Sequence, residues 1–186
     1  MTLNEFINRF QLLSLSGNQG FPHPAKKSAV LIPICEIDNT LHILFCKRPR
    51  YLKHHPAEIC FPGGKLEPTD DSLQGAALRE CHEELGLPKQ QITLLGELQS
   101  YWTLTGFEIK PFVGLINDIN TIKIDNNEVE SVFYIPFSEL ALSQNWQPLS
   151  FIRANKKRQL RAFKTPYGLL WGATAQITLN LVKQVS

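Results

Sequence analysis

Residues 63–87 read GGKLEPTDDSLQGAALRECHEELGL and predict a glycine-containing loop followed by a helix. The helix has a stop signal in Gly86, which suits a left-handed C-terminal cap, and in Pro88, which prevents continuation. The N-cap candidates are Asp70, Asp71 and Ser72. They also place negative charge or a side-chain acceptor at the positive end of the helix dipole. We expect the rest of the chain to be organised around this loop and helix.

Three carboxylates lie on one face of the predicted helix. Glu80, Glu83 and Glu84 occupy positions i, i+3 and i+4, which are neighbours on a helical surface. Because like charges at this spacing repel, a helix that keeps three of them together usually binds a cation. Carboxylate oxygens without a paired His or Cys favour a hard ion, Mg²⁺ or Mn²⁺, over zinc. Arg79 precedes Glu83 by four residues and can orient the cluster.

An apolar stripe indicates which side of the same helix is buried. Ala77, Cys81 and Leu85 recur at a spacing of four residues, with Leu78 beside them. The carboxylates flank this stripe, so we expect them at the margin of the packed face, where a cleft can form. Residues 61–64, Phe-Pro-Gly-Gly, predict a strand end that opens into a loop whose backbone can approach a ligand.

The whole stretch resembles the Nudix box, whose pattern is Gly, five residues, Glu, seven residues, then Arg-Glu-apolar-any-Glu-Glu-any-Gly-apolar. The matching positions are Gly64, Arg79, Glu80, Cys81, Glu83, Glu84, Gly86 and Leu87. One departure lies in the loop, where Asp70 has the expected spacing from Gly64 and Asp71 has the expected spacing from Arg79. The loop is therefore one residue longer, and Asp replaces the first acidic residue of the pattern.

This resemblance implies the α/β (α+β) fold of the Nudix family, an α/β/α sandwich with a mixed β-sheet and a loop-helix-loop catalytic motif. It implies Glu80 and Glu84 as the principal ligands of Mg²⁺ or Mn²⁺, joined by the backbone carbonyl of Gly64. Arg79 belongs to the same catalytic motif. The implied reaction is hydrolysis of a diphosphate, whose negative charge the divalent ion neutralises.

Two further carboxylates are left with alternative roles. Glu83 is either another metal ligand or the general base of the reaction. Glu128 comes before a predicted strand and lies outside the helix. It is either a further metal ligand or base, or an ordinary acidic residue of a loop.

The residues before the box resemble the signature of the coenzyme A diphosphatase branch of this family. The matching positions are Arg48, Leu52, His55 and residues 61–64. Pro49, Ala57 and Glu58 depart from it, standing where a small residue, Gly and Gln are usual. The implied reaction is hydrolysis of coenzyme A or acyl-coenzyme A to 3′,5′-ADP and (acyl-)4′-phosphopantetheine. This match and the basic loop that contains it predict five substrate-binding residues: Arg48, Lys53, His55, Gly63 and Gly64.

Two other functions are compatible with the same motifs. One is hydrolysis of another nucleoside diphosphate derivative, such as ADP-ribose, NADH or a dinucleoside polyphosphate, which the departures at Ala57 and Glu58 favour. The other is a binding module that has lost catalysis, which the retention of all three helix carboxylates opposes. A basic run further on is either a solvated face or a contact for a substrate phosphate; it consists of Lys156, Lys157, Arg158, Arg161 and Lys164.

Strands and helices outside the box follow from hydrophobic pattern and turn residues. The predicted strands are residues 29–35, 40–48, 91–102, 107–117 and 129–135, and the predicted helices are residues 137–142 and 174–182. Pro33 indicates that the first strand is an edge or bulged strand. We interpret Trp171 as an anchor in the core and Gly172 as closely packed backbone.

The composition describes a globular protein of 186 residues, 43% hydrophobic and 19% charged. Residues 1–27 are assigned to an N-terminal helix and linker (linker residues 17–27), and residues 28–186 to the Nudix domain. A net charge of +2 gives no support for a nucleic-acid partner, and no apolar stretch is long enough for a membrane span. The four cysteines contain no CxxC pair and predict reduced thiols in a cytoplasmic protein. A small molecule is the expected partner, and a homodimer is compatible with the sequence.

Overall fold

A mixed β-sheet runs through the middle of the structure, a computed structural model that describes residues 1–12, 25–153 and 156–186. Residues 17–24 of the predicted linker lie outside the described residues, and the remainder of that linker enters the first strand. The helices are α1 (Leu3–Leu12), α2 (Leu73–Leu85), α3 (Phe137–Ala141) and α4 (Gly172–Val185). The strands are β1 (Lys26–Ile37), β2 (Thr40–Lys47), β3 (Ile59–Cys60), β4 (Gly63–Lys65), β5 (Ile92–Glu97), β6 (Tyr101–Trp102), β7 (Phe107–Ile116), β8 (Ser131–Pro136), β9 (Trp146–Arg153), β10 (Lys156–Thr165) and β11 (Gly168–Leu170).

The eight-stranded sheet has β1 at its centre. One path through it runs β3-β2-β1-β7-β5, while β4 pairs with β1, β6 with β7 and β8 with β2. The β1–β7 pair is parallel and the other pairs are antiparallel, which confirms the predicted mixed sheet. A separate antiparallel sheet of three strands contains β9, β10 and β11.

Helices cover both faces of the large sheet, and the alternation of side chains along β1 shows how. Leu31 and Cys35 point to the face on which the apolar side of α2 packs. Ile32 and Ile34 point to the opposite face, where they share a core with α1, α3 and α4. Phe6 of α1 is completely buried in that second core. The arrangement is an α/β/α sandwich, as predicted.

Pro33 does not make β1 an edge strand, so the edge alternative of that prediction is wrong. β1 is bordered by β7 on one side and by β4 and β2 on the other. Leu31 donates its N–H to the carbonyl of Pro62 on the β4 side, so alternation directs the nitrogen of Pro33 to that side too. The β1–β2 ladder begins only at the pair Ile34–Ile43. Proline therefore lies where the neighbouring strand changes and no donor is needed.

Trp171 is not buried in the core, and Gly172 is not closely packed. Trp171 is 40% exposed and forms the N-cap of α4. Gly172 has φ +66°, and a Cβ there would meet no other atom of the described residues within 4 Å. Glycine is needed at this position for its left-handed backbone rather than for its size. In the part of the chain that the structure describes, no helix is long and apolar enough to span a membrane.

Candidate active site

The helix of the box begins and ends where its sequence indicates. The Oγ atom of Ser72 accepts a hydrogen bond from the N–H of Gly75 at 3.0 Å, so Ser72 is the N-cap among the three candidates. At the other end Gly86 has φ +66° and donates its N–H to the carbonyl of His82 at 2.8 Å. These caps fix the length of α2 and thereby the direction of its carboxylates.

Three carboxylates converge at the edge of α2. One oxygen from each of Glu80, Glu84 and Glu128 lies within 4.8 Å of the other two. Glu80 is half-buried, Glu84 is buried and Glu128 is exposed, so the cluster reaches from the core to the solvent. Glu83 lies outside this group. Its side chain is about half exposed, and its Oε2 atom lies 2.9 Å from Nη1 of Arg79.

The loop that delivers Glu128 is attached to the C-terminal end of α2 by its backbone. The N–H of Lys123 donates to the carbonyl of Leu85 at 2.8 Å, and the N–H of Asp125 donates to the carbonyl of Glu84 at 3.0 Å. The N–H of Glu128 then donates to the carbonyl of Asp125 at 3.0 Å, closing a turn. These three bonds bring a carboxylate from a distant part of the chain next to the helix.

Arg79 connects the loop of the box to the helix. Its Nε and Nη2 atoms lie 2.9 and 3.1 Å from the two carboxylate oxygens of Asp70, a bidentate pair. Its Nη1 atom also donates to Glu80 at 3.1 Å and to Glu83 at 2.9 Å. Of the two aspartates that could stand for the first acidic residue, Asp70 is thus the partner of Arg79. The hydrogen bonds from Arg79 lower the pKa of Asp70.

Glu84 is held in surroundings that disfavour a bare negative charge. Its side chain is buried, and its Oε2 atom has no hydrogen-bond partner in the described part of the chain. Burial above all, then the neighbouring Glu80, raises the pKa of Glu84 to about 8, against the opposing effect of Arg48. Burial also raises the pKa of Glu80. A divalent cation fits this set, because it would use the unpartnered oxygen and relieve the repulsion between the carboxylates.

Glycine at position 64 lets the backbone of β4 touch the acidic cluster. A Cβ atom at Gly64 would lie 2.1 Å from Oε1 of Glu80, far inside van der Waals contact. The neighbouring Gly63 donates a backbone hydrogen bond that favours the ionised form of Glu84. The backbone of this turn therefore approaches the metal-ligand candidates closely, which a residue with a Cβ atom could not do.

A cavity of about 600 Å³ opens beside this turn. Four of the five predicted substrate-binding residues line it: Arg48, His55, Gly63 and Gly64. Lys53 is exposed and does not belong to the lining. The described side chains of the basic run on β10 do not belong to it either, and Arg161 instead donates to the carbonyl of Ser143 at 3.1 Å.

The loop that carries His55 explains two departures from the coenzyme A diphosphatase signature. Ala57 has φ +59°, a left-handed conformation that glycine adopts more easily. Glu58, in place of Gln, lies 2.8 Å from Nδ1 of His55 through its Oε2 atom. The alanine retains the backbone shape at a cost in strain, and the extra carboxylate has a partner in its own loop.

Sequence reasoning missed one wall of the cavity. Phe107 and Ile109 at the start of β7, together with Ala173 and Ile177 of α4, also line it. The spacing of Ala173 and Ile177, four residues apart, was a signal that one face of α4 borders a common surface. Which surface it borders depends on the path of the sheet, and local pattern does not contain that information.

Comparisons with known proteins agree with this geometry. Residues 25–154 match the family model described as the NUDIX domain. Two relatives are described as uncharacterized Nudix hydrolase NudL. The relative from Enterobacter sp. (strain 638) is 33% identical over all of this chain and 95% of that protein. The relative from Yersinia enterocolitica is 37% identical over all of this chain and 94% of that protein. The crystal structure of a MutT/nudix family protein from Enterococcus faecalis shares the fold, with a TM-score of 0.59 at 15% identity, over all of this chain and 70% of that one. The chain belongs to the Nudix family and is a Nudix hydrolase, an enzyme that cleaves diphosphate linkages.

Proposed function

We propose that this enzyme hydrolyses the diphosphate of coenzyme A or acyl-coenzyme A, giving 3′,5′-ADP and (acyl-)4′-phosphopantetheine. The observation that carries the proposal is the cavity that starts at Gly64, next to the carboxylate cluster. Arg48 and His55, which match the coenzyme A signature, lie at its charged side. Its inner wall contains uncharged side chains such as Ile59 and Ile177. A substrate with a diphosphate and an uncharged flexible arm, as coenzyme A has, suits both parts.

We assign the metal to the cluster of Glu80, Glu84 and Glu128, with the carbonyl of Gly64 as a further oxygen ligand. When bound, Mg²⁺ or Mn²⁺ neutralises charge on the diphosphate and makes water a better nucleophile. Glu128 is the exposed member of the cluster, so we assign it also as the acceptor of a proton from the attacking water.

Two arginines have different parts in this proposal. Arg79 fixes Glu80 through the hydrogen bond at 3.1 Å while Asp70 fixes Arg79. Glu83 assists by holding the same guanidinium from the solvent side. Arg48 lines the cavity, and its buried Nε atom has no hydrogen-bond partner in the described part of the chain. We assign this guanidinium to a phosphate oxygen of the substrate, which it can bind from its place in the cavity wall.

The proposal is tested by a substrate panel assayed with Mg²⁺ and with Mn²⁺. Coenzyme A, acetyl-coenzyme A, ADP-ribose, NADH and a dinucleoside polyphosphate are compared by kcat/KM, with product identification by chromatography. We expect the coenzyme A compounds to be preferred and 3′,5′-ADP to be formed. A higher kcat/KM for any other member of the panel overturns the substrate assignment.

A pair of arginine variants tests the site itself. Arg48→Gln removes a guanidinium group from the cavity wall. It is expected to lower kcat/KM by about a hundredfold, which is the scale of a lost charge-assisted contact. Arg50→Gln removes the same charge from an exposed neighbour in the same loop and serves as the control. Equal losses in the two variants would show that only the general charge of the loop matters.

A second candidate substrate class is another nucleoside diphosphate derivative. Glu58, which lines the cavity, favours it, because its carboxylate replaces the neutral Gln of the coenzyme A signature and adds negative charge to the wall. His55 moderates this effect because it lies 2.8 Å from that carboxylate. The substrate panel decides between the two classes.

All four cysteines are free thiols, which supports our placement of the enzyme in the reducing cytoplasm.

A further inference from the structure

Two lysines approach the same aromatic ring at one corner of the large sheet. Lys26 begins β1 and is paired with Phe107, which begins β7. Lys65 ends β4 and is paired with Ser28 of β1. As a result, the Nζ atoms of both lysines lie 6.0 Å from the centroid of the Phe107 ring. An ammonium group near an aromatic face is attracted to it, which holds each lysine towards the ring.

Two ammonium groups give this corner positive charge. Lys47 and Lys110 each pair with a glutamate, whereas the ion pairs found among the described residues include neither Lys26 nor Lys65. Both are exposed and able to meet a ligand. Two ammonium groups gathered at one ring repel each other, and an anion between or beside them would turn that repulsion into attraction.

The corner is part of the cavity wall. Lys65 and Phe107 both line the cavity, and Lys65 directly follows Gly64, whose backbone touches Glu80. A substrate whose diphosphate lies at Gly64 would therefore place the group attached to one of its phosphates near this ring. A nucleoside suits the position, because its ribose can carry a further phosphate that two ammonium groups can bind.

We propose that Lys26, Lys65 and Phe107 form a subsite for a phosphate monoester on the ribose of the substrate's nucleoside half. This inference rests on the proposed function, since coenzyme A carries such a group at the ribose 3′ position and ADP-ribose and NADH do not. The lysines bind the monoester as point charges, and the ring of Phe107 holds their ammonium groups at this corner. The subsite makes the enzyme selective for ribose-phosphorylated diphosphates.

The test compares coenzyme A with dephospho-coenzyme A, which lacks only the ribose phosphate. For the wild-type enzyme we expect kcat/KM to favour coenzyme A by at least about tenfold, the effect of one good charged contact. In the double variant Lys26→Gln, Lys65→Gln this ratio is expected to fall towards one. Lys27→Gln is the matched control, because alternation along β1 directs Lys27 away from the ring, and it is expected to keep the wild-type ratio.

Product inhibition gives a readout that does not depend on turnover of the two substrates. We expect 3′,5′-ADP to inhibit the wild-type enzyme more strongly than 5′-AMP, and this difference to shrink in the double variant. A wild-type enzyme that cleaves both coenzyme A compounds equally well, or a double variant that keeps the wild-type ratio, overturns the subsite while the proposed function stands. If the wild-type enzyme cleaves neither compound but cleaves other diphosphates, the proposed function fails and the subsite fails with it.

Discussion

Replacement of Glu84 by Gln should stabilise the metal-free protein and at the same time abolish its response to Mg²⁺. Glu84 is only 2% exposed, and its Oε2 atom has no hydrogen-bond partner in the described part of the chain. Burial and the nearby Glu80 raise its pKa from 4.5 to about 8. An amide of the same shape cannot ionise at any pH of the assay, and it also removes the carboxylate that we assign to the divalent ion.

The size of the expected change in unfolding free energy follows from the proton that Glu84 retains in the folded protein. Between pH 4.5 and about pH 8 the folded state keeps Glu84 protonated while the unfolded state ionises it, so stability falls as pH rises through this window. One pKa unit corresponds to about 1.4 kcal/mol, which places the loss at roughly 3 kcal/mol at pH 7. Glu80 and Glu128 raise the pKa of Glu84 as burial does, while Arg48 lowers it.

Urea denaturation of the metal-free wild type and of Glu84→Gln, at about pH 5, 7 and 8.5, measures this loss. The free energy of unfolding should decline with pH in the wild type more steeply than in the variant. Saturating Mg²⁺ should then stabilise the wild type, by about 2.7 kcal/mol when the ion is at a hundred times its Kd, and not the variant. Glu36→Gln, at an exposed position, is the control. Parallel pH profiles would refute the burial argument, and an undiminished Mg²⁺ response would remove Glu84 from the metal site.

Substitutions at three further positions each test one steric statement. Gly64→Ala places a methyl group 2.1 Å from Glu80, so steady-state assays should show kcat reduced by about a hundredfold or more while the melting temperature changes little. Gly75→Ala meets only the Oγ of Ser72 at 3.4 Å, so urea denaturation should show a gain of about 0.5–1 kcal/mol at unchanged kcat. Ala57→Gly relieves a φ of +59° and should raise the urea midpoint, whereas Ala57→Val should lower it.

The helix of the active site was predictable because its signals are local. Ser72 and Gly86 mark its ends, and the apolar stripe through Ala77 and Cys81 marks its buried side. Each of these signals acts within a few residues, so the surrounding fold does not override them. The bidentate pair between Arg79 and Asp70 was not predictable, since two neighbouring aspartates had suitable spacings and only the path of the loop selects one.

Hydrophobic character alone gave the wrong position for Trp171. A large aromatic residue next to a helix suggests an anchor in the core, but this side chain is 40% exposed at the N-cap of α4. Tryptophan is highly buried on average but rarely fully buried, so its type alone does not determine where this side chain lies. The wall of the cavity formed by Phe107 and Ile177 was missed for a different reason. It arises from strand order and helix placement, which bring distant segments together.

The position of Glu128 shows how backbone requirements can assemble a site without a local sequence signal. The last carbonyls of any helix lack partners within that helix and must find donors elsewhere. In this protein, the N–H groups of Lys123 and Asp125 supply donors to the carbonyls of Leu85 and Glu84. The same bonds that complete the end of α2 therefore carry Glu128 to the carboxylates of the helix. Any residue other than proline can donate such a backbone hydrogen bond, so the sequence pattern shows an acidic loop residue but not where it lies in the fold.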